Sequence, residues 1–465
     1  MPEGKIIHII GIGGIGASGL AKILNSTGKK VQGSDLIKTE LTENLKSTGI
    51  EVFYEQKEEN ITKDISLVIY SQAITEENPE YKKAKKYGIS AISYPEALGK
   101  LTKEKRTIAV SGTHGKTTTS ALIVNLLNSS GIETNFVIGG EITGLGNSGI
   151  GKSNYLVIEA CEYKRSFLNY QPEIEIITAI EEDHLDYYKD INDIVSAFKE
   201  FSKKIKNKGM LIANIDDKNI QSVIREYSGD RLTYGINNGD IKADNIVLSE
   251  KGNVFDCIYK DKKIGKFQTN LYGLHNVLNS LACISVGITL QISLKDIKAS
   301  LKKFPGVNRR FQEIKNINGV IIADDYGHHP TEIEATLKGI RQKYPQKRLI
   351  VVFQPHQYSR TRFLLKSFAS SFSIADEVIV PDIYFVRDSE IEKKLVNSEI
   401  LVHEISKNGI KAKYIPTFQA IVKYLLKEVK KEDIILTIGA GPINQVAYDF
   451  KEEIEKIYSN TKNIN

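Results

Sequence analysis

At 465 residues the chain is too long for one ordinary core, and roughly 100–200 residues per domain predicts two to four domains. It is 41% hydrophobic and 26% charged, and its net charge of +6 suits anionic small molecules. With no basic block or aromatic–basic interleaving, a nucleic-acid partner is not expected. Three distant cysteines without a CxxC, and no apolar run of membrane-spanning length, predict a cytoplasmic protein with reduced thiols and no membrane insertion.

Short β-rich runs alternate with helical patterns along almost the whole chain, which predicts α/β architecture with parallel sheets. The first run, KIIHIIG (5–11), leads into Gly11-Ile12-Gly13-Gly14-Ile15-Gly16 and then a helical pattern. Its glycines and the lack of a cleavage context separate it from a signal peptide. The next run, KKVQGSD (29–35), ends on Asp35, at about the spacing of a ribose-binding carboxylate. GxGxxG alone leaves the nucleotide open, and a dehydrogenase would hold NAD here. DISLVIYS (64–71) ends on Ser71, and the Lys/Glu-rich GKLTKEKR (99–106) suggests a boundary.

RTIAVSG (106–112) then feeds Gly112-Thr113-His114-Gly115-Lys116-Thr117-Thr118, a phosphate loop with Val110 where the usual first glycine stands. A strand before it and a helical pattern from about Lys116 are the context such a loop needs. Gly112 and Gly115 let backbone N–H groups close on phosphate oxygens, Lys116 suits the β/γ-phosphates, and Thr117 offers a hydroxyl to Mg2+. The plainer alternative is a Gly/Thr turn capping a helix.

Two later strand ends offer metal ligands: YLVIEA (155–160) presents Glu159, and EIEIITAI (173–180) leads to His184 among Glu181, Glu182, Asp183 and Asp186. Together they suit two Mg2+ ions beside a transferring phosphoryl group, although a lone histidine is commonly just a hydrogen-bonded loop residue. Residues 231–272 break the rhythm with short strands and turns, predicting a small antiparallel sheet. YGLHNVLNSLAC (272–283) then places His275, Asn276 and Asn279 at a helix start, either as amides for a purine edge or as a capping cluster.

A second boundary falls at KKFPGVNRRFQEIKNING (302–319), whose Arg309 and Arg310 are either transition-state cations or a solvated basic linker. GVIIADDY (319–326) ends near Asp324, Asp325, His328 and His329, and Pro330 fits a helix start. Adjacent histidines without a cysteine do not easily converge on one tetrahedral zinc, so no zinc site is expected of them. RLIVVFQP (348–355), DEVIVPDIY (376–384) and DIILTIGAG (433–441) complete the predicted strands.

In this order GIGGIGASGLA, SGTHGKTTT, EACEYKRSFL, EEDHLDYY, YGLHNVLNSLA, RRF, DDYGHHPTEI and FQPHQYSRT resemble the Mur ligases, from about residue 5 to 445. These are ATP-dependent amide ligases of peptidoglycan synthesis, and the resemblance is to the member adding the first amino acid. It implies three α/β domains: a Rossmann-like UDP-sugar domain (1–103), a central P-loop ATPase domain with a parallel and a small antiparallel sheet (104–312), and a Rossmann-like amino-acid domain (313–465). The substrates it implies are ATP, UDP-N-acetylmuramate and L-alanine.

Site residues follow from the same resemblance. Gly11, Gly13, Gly14, Gly16, Asp35 and Ser71 would face the UDP-sugar. ATP would meet Gly112–Thr118, Asn276, Asn279, Arg310 and Asp325, while Thr117, Glu159 and His184 would hold Mg2+. Lys116, Glu159, His184 and Arg310 would be catalytic, and Tyr326, His356 and Arg360 would receive the amino acid. Gln72 and Pro442 depart from the family pattern, where a serine and an aspartate are expected. Rival readings are a ligase recycling murein tripeptide onto the same UDP-sugar, an NAD-dependent oxidoreductase, and a nucleotide-binding regulator without catalysis.

Overall fold

The ten predicted β-rich runs all become strands, shortened at their ends, in a computed structural model that describes residues 6–386 and 388–462. Lys5 of the first run and the outer ends of the first and last expected domains lie outside the described residues. The strands form three sheets, each followed along the chain by the next.

The first sheet is fully parallel, in the order Glu51–Phe53, Lys30–Ser34, Ile6–Ile10, Ile65–Tyr70, Ser90–Ser93. Ile6–Ile10 is its central strand and is buried at every position, which is why four of its five residues are isoleucine and the fifth, His8, is paired with buried Glu80. Helix Ile15–Ser26 follows it and carries small residues, among them Gly19, on the face packed against the second unit. A Cβ on Gly19 would stand 3.0 Å from Val137.

The second sheet has ten strands, and its middle is parallel. Arg106–Ser111 lies between Ile174–Ile177 and Tyr155–Glu159, so the phosphate loop, Glu159 and the His184 segment all leave the same carboxyl edge. The expected small antiparallel sheet is a meander of Ile241–Ser249, Gly252–Tyr259 and Lys262–Thr269, but it is not separate. Parallel pairing of Tyr234 with Ile241 and Gly235 with Lys242 makes it the edge of the ten-stranded sheet.

The third sheet runs Gln312–Ile317, Val320–Asp325, Ile434–Ile438, Leu349–Phe353, Glu377–Val380, Lys411–Tyr414, parallel except for its first pair. Helix Pro330–Lys343 starts as its sequence suggests, with proline at the first position and His329 as N-cap in a reciprocal box with Glu332. The Lys/Glu stretch 99–106 is no loop: it is the last turns of helix Tyr94–Glu104, with Lys105 alone before the next strand.

Candidate active site at the phosphate loop

The loop's glycines are required by its shape. Gly112 and Gly115 have φ of 126° and 81°, and a Cβ on them would come within 2.2 Å of Thr178 Oγ1 and 2.7 Å of Asn279 Oδ1. Gly115 is the N-cap of helix Lys116–Ser129, whose first N–H groups therefore open toward the loop. Lys116 Nζ folds back to the carbonyls of Gly112 and Thr113 and pairs with Glu162 at 3.1 Å. Burial works against the lysine's charge, but Glu162, together with Cys161 and Glu159, outweighs it and raises the pKa.

Glu162 is a partner of the loop lysine that the sequence does not single out. Its side chain is 3% exposed, and it lies three residues beyond Glu159 in the same stretch. A buried acid beside a loop lysine was the available signal, but position past a strand end does not say which way a side chain points.

Thr117 Oγ1 donates to Glu159 Oε2 at 3.2 Å, while Gly139 N–H holds the other carboxylate oxygen at 2.7 Å. Burial raises the Glu159 pKa, with the Gly139 N–H and Lys116 opposing it. A hydroxyl and a buried carboxylate are hard oxygen donors that fit Mg2+. His184 stands apart, with φ 55°, its Nε2 3.8 Å from Asp183 and its ring tilted against Tyr163 with centroids 4.7 Å apart. It is not within ion-pair distance of Glu159 among the described residues.

A cavity of about 510 Å³ opens beside the loop between the second and third units. Gly115, Asn276, Asn279, Arg310 and Asp325 all line it, and so do Thr117 and Thr118. Both asparagines are tied in place: Asn276 donates to the Tyr272 carbonyl at 2.7 Å, and Thr119 donates to Asn279 Oδ1 at 3.1 Å. His275 is neutral at pH 7, since burial, and then Arg310, lower its pKa to about 4.

The two arginines separate. Arg309 has φ 59° and binds Asp324 at 2.9 Å together with the Gly439 carbonyl, so it holds the third unit together. Arg310 turns into the cavity, 3.4 Å from Thr117 Oγ1. Asp325 accepts from the N–H groups of Phe311 and Gly327, both at 2.7 Å, and burial raises its pKa to about 6.

The residues expected to receive an amino acid do meet. His356 Nδ1 is 3.1 Å from Arg360, His328 links the rings of His356 and Tyr326, and Tyr326 also lies under Arg310. Arg360 is already engaged, however, with Asp183 of the second unit at 2.9 Å. At the first sheet, Gly11 and Gly13 leave room for Ser71 and Asp35. Asp35 accepts from the N–H groups of Gly13 and Ile37 at 2.9 and 3.1 Å, so it shapes the glycine turn. Gly16 lies against Tyr94, where a Cβ would stand 2.5 Å from the phenol oxygen, and Gly14 is the N-cap of the following helix. Gln72 reaches Ser166 at 2.6 Å and so ties the first unit to the second.

Fold and site together define an ATP-dependent ligase of three α/β units, with a phosphate loop in the second facing the third. The descriptions Mur ligase family, catalytic domain, Mur ligase middle domain, and Mur ligase, glutamate ligase domain match residues 6–106, 110–287 and 309–441. The UDP-N-acetylmuramate--L-alanine ligase of Clostridium kluyveri is 44% identical over 447 residues, 96% of this chain and 97% of that one. That of Clostridium novyi is 42% identical over 450 residues, with the same shares. This chain belongs to the Mur ligase family. The UDP-N-acetylmuramate-alanine ligase structure from Thermotoga maritima superposes with TM-score 0.84 at 27% identity, covering 97% of this chain and 99% of that one. A murein peptide ligase structure from Psychrobacter arcticus gives TM-score 0.74 at 25% identity, covering 97% and 98%.

Proposed function

We propose that this chain joins L-alanine to the lactyl carboxylate of UDP-N-acetylmuramic acid, with ATP converted to ADP and phosphate, in peptidoglycan precursor synthesis. The observation that carries this reading is the 44% identity to a ligase of that name over 96% of the chain, phosphate loop included. In this reading residues 1–103 take the UDP-sugar, 104–312 take ATP, and 313–465 take the amino acid. ATP and a sugar nucleotide are cytoplasmic substrates, and among the described residues no helix is long and apolar enough to cross a membrane.

A carboxylate acylates poorly because its oxygen leaves badly. Transfer of the γ-phosphoryl group to that oxygen gives an acyl phosphate and ADP. The alanine nitrogen then adds to the carbonyl carbon, and the tetrahedral adduct expels phosphate while the nitrogen loses a proton, leaving an amide.

Each residue has a task in that sequence. The Gly112–Gly115 backbone would cradle the phosphates, and Lys116, released from Glu162, would follow charge onto the β/γ-bridge. Arg310 would add a second cation from the hinge side as the third unit closes. Asn276, Asn279 and Asp325 would receive the nucleoside in the cavity. Mg2+, held by Thr117 and Glu159 and with His184 as a candidate for a second ion, would neutralise phosphate charge when bound. Tyr326, His356 and Arg360 would receive alanine if its carboxylate replaces Asp183 on the Arg360 guanidinium. Closure of the third unit would keep water from the mixed anhydride.

Phosphate release from ATP tests the reading, with UDP-N-acetylmuramate, Mg2+ and, in parallel, L-alanine, glycine, L-serine or murein tripeptide. Release that requires both the sugar nucleotide and L-alanine, with an amide product of matching mass, is expected. Preference for tripeptide would move the chain to the recycling ligase. No release in any arm would refute the substrate assignment.

A further inference from the structure

Three side chains from separated stretches converge beside the phosphate loop and outside the oxygen pair of Thr117 and Glu159. They are His114 in the loop, Glu181 beyond strand Ile174–Ile177, and His329 at the start of helix Pro330–Lys343. One ligand atom from each lies within 4.8 Å of the other two. His114 Nε2 and His329 Nδ1 stand 3.3 and 4.0 Å from the same oxygen, Glu181 Oε2.

The far side of each imidazole is already committed. His114 Nδ1 faces Glu332 Oε1 at 3.2 Å, and His329 Nε2 faces the Glu182 carbonyl at 3.3 Å. Both partners only accept, so these nitrogens donate and the opposite nitrogen of each ring faces Glu181. Burial works against a charge on His114, but Glu181 and Glu332 outweigh it and raise its pKa to about 9, so a metal ion would take the place of the proton that His114 holds toward Glu181. The other contacts do not fill the space between them. Thr331 Oγ1 donates to Glu181 Oε2 at 2.7 Å, and Thr331 N–H reaches His329 Nδ1 only at 3.4 Å. Two imidazole nitrogens and a carboxylate oxygen converge on one point, where a metal ion can replace the shared proton.

We infer that His114, Glu181 and His329 form a binding site for a divalent transition metal of the Zn2+ class. Two imidazoles and one carboxylate are borderline donors that suit such an ion and not Mg2+. Histidines backed by a carboxylate and a carbonyl on their second nitrogen have the outer support that metal-bound imidazoles use. Tetrahedral ligands around zinc stand about 3.3–3.5 Å apart, so the His114–Glu181 distance already fits, and His329, at 4.0 Å from Glu181, has to move inward to complete the set. Glu181 is 39% exposed, whereas His114 and His329 are 14% and 7%, so water can supply the fourth ligand from the Glu181 side. The ion would take two ligands from the second unit and one from the third. It therefore straps the closed arrangement directly over the nucleotide loop and slows turnover. The chain would be sensitive to zinc-class metals while still using Mg2+ at Thr117 and Glu159.

The test is titration of the full chain with Co2+ in excess Mg2+, read by the visible absorption of four-coordinate Co2+. One equivalent is expected, displaced by Zn2+. Glu181→Gln, at a half-exposed position, and His329→Asn, which preserves a helix-capping side chain, each weaken binding more than about tenfold. His184→Gln retains the band, which separates this site from the Mg2+ ligands. Absence of the band, its survival in both Glu181→Gln and His329→Asn, or its loss in His184→Gln overturns the proposal. In parallel, Zn2+ slows wild-type turnover at saturating Mg2+ and slows Glu181→Gln less. Equal sensitivity of the two would refute the strap.

Discussion

Replacing Lys116 by Met tests the catalytic loop and the buried pair behind it at once. Glu162 is 3% exposed and Lys116 17%, with the charged atoms 3.1 Å apart, so Lys116→Met leaves a carboxylate buried without its cation. Breaking such a pair costs about 3–5 kcal/mol, and each kcal/mol lowers the midpoint of a unit of this size by about 2–4 °C. A fall on the order of 10 °C is expected in the unfolding transition that contains the loop. Adding Glu162→Gln removes the stranded charge and recovers most of that loss, while turnover stays down by at least about 100-fold because the phosphoryl charge has still lost its lysine. Thermal unfolding by calorimetry and phosphate release, run on the two single variants and the double variant, read the two effects separately. Equal destabilisation of Lys116→Met and the double variant would refute the buried-pair reasoning. Wild-type turnover in Lys116→Met would refute the loop's role.

Three other predictions follow from neighbouring groups. Arg310→Ala lowers kcat by about 100- to 1000-fold with the fold intact, whereas Arg309→Ala strands buried Asp324 and costs about 3–5 kcal/mol; kinetics and melting of both variants check this. Glu175, buried in strand Ile174–Ile177 with Oε2 unpartnered, has its pKa raised by burial from 4.5 to about 8. The folded chain thus keeps a proton that the unfolded chain releases, so this stabilising contribution is full below about pH 4.5 and is lost as pH rises through 8. Each pH unit in that window is worth up to about 1.4 kcal/mol, and Glu175→Gln flattens the fall in melting temperature between pH 5 and 8. Asp183→Asn removes the partner of Arg360 across the two units and shifts the closed arrangement toward the open one by at least about tenfold, measured by small-angle scattering with and without nucleotide.

What the sequence reveals is what strands and loops carry locally. The phosphate loop is legible because strand, glycines, lysine and helix are contiguous, and Glu159 is legible because a buried strand ends on it. Strand Asn135–Ile142 is hidden because two glycines interrupt NFVIGGEI, yet Gly139 and Gly140 are there so that Glu159 and Thr117 can approach. Glu162, the split between Arg309 and Arg310, and the convergence of His114, Glu181 and His329 are not local properties. Arg309 and its neighbour diverge because a positive φ at Arg309 turns the chain. The histidines meet only because two sheets end at the same crevice, a convergence that the adjacency of His328 and His329 in the sequence does not announce.

The interfaces also say which part moves. One apolar cluster runs from Ile7 and Leu20 of the first unit through Val137 and Ile158 to Phe198 of the second, so those two units share a core. The apolar clusters of the third unit contain its own residues and, from the connecting segment, Phe311. Its hydrogen-bonded ties to the second unit include Arg360 to Asp183, Thr331 to Glu181 and Gln342 to Asn253, while Arg310 of the connecting segment reaches Thr117. Separating a shared apolar core exposes its area to water, whereas polar contacts exchange for water at small net cost. Opening therefore belongs to the third unit, about the segment 303–311, where Gly306, Arg309 and Phe311 all have positive φ. If Arg310 serves the phosphates as proposed, its place on that segment, 3.4 Å from Thr117 Oγ1, would bring the second cation to the loop as part of closure itself.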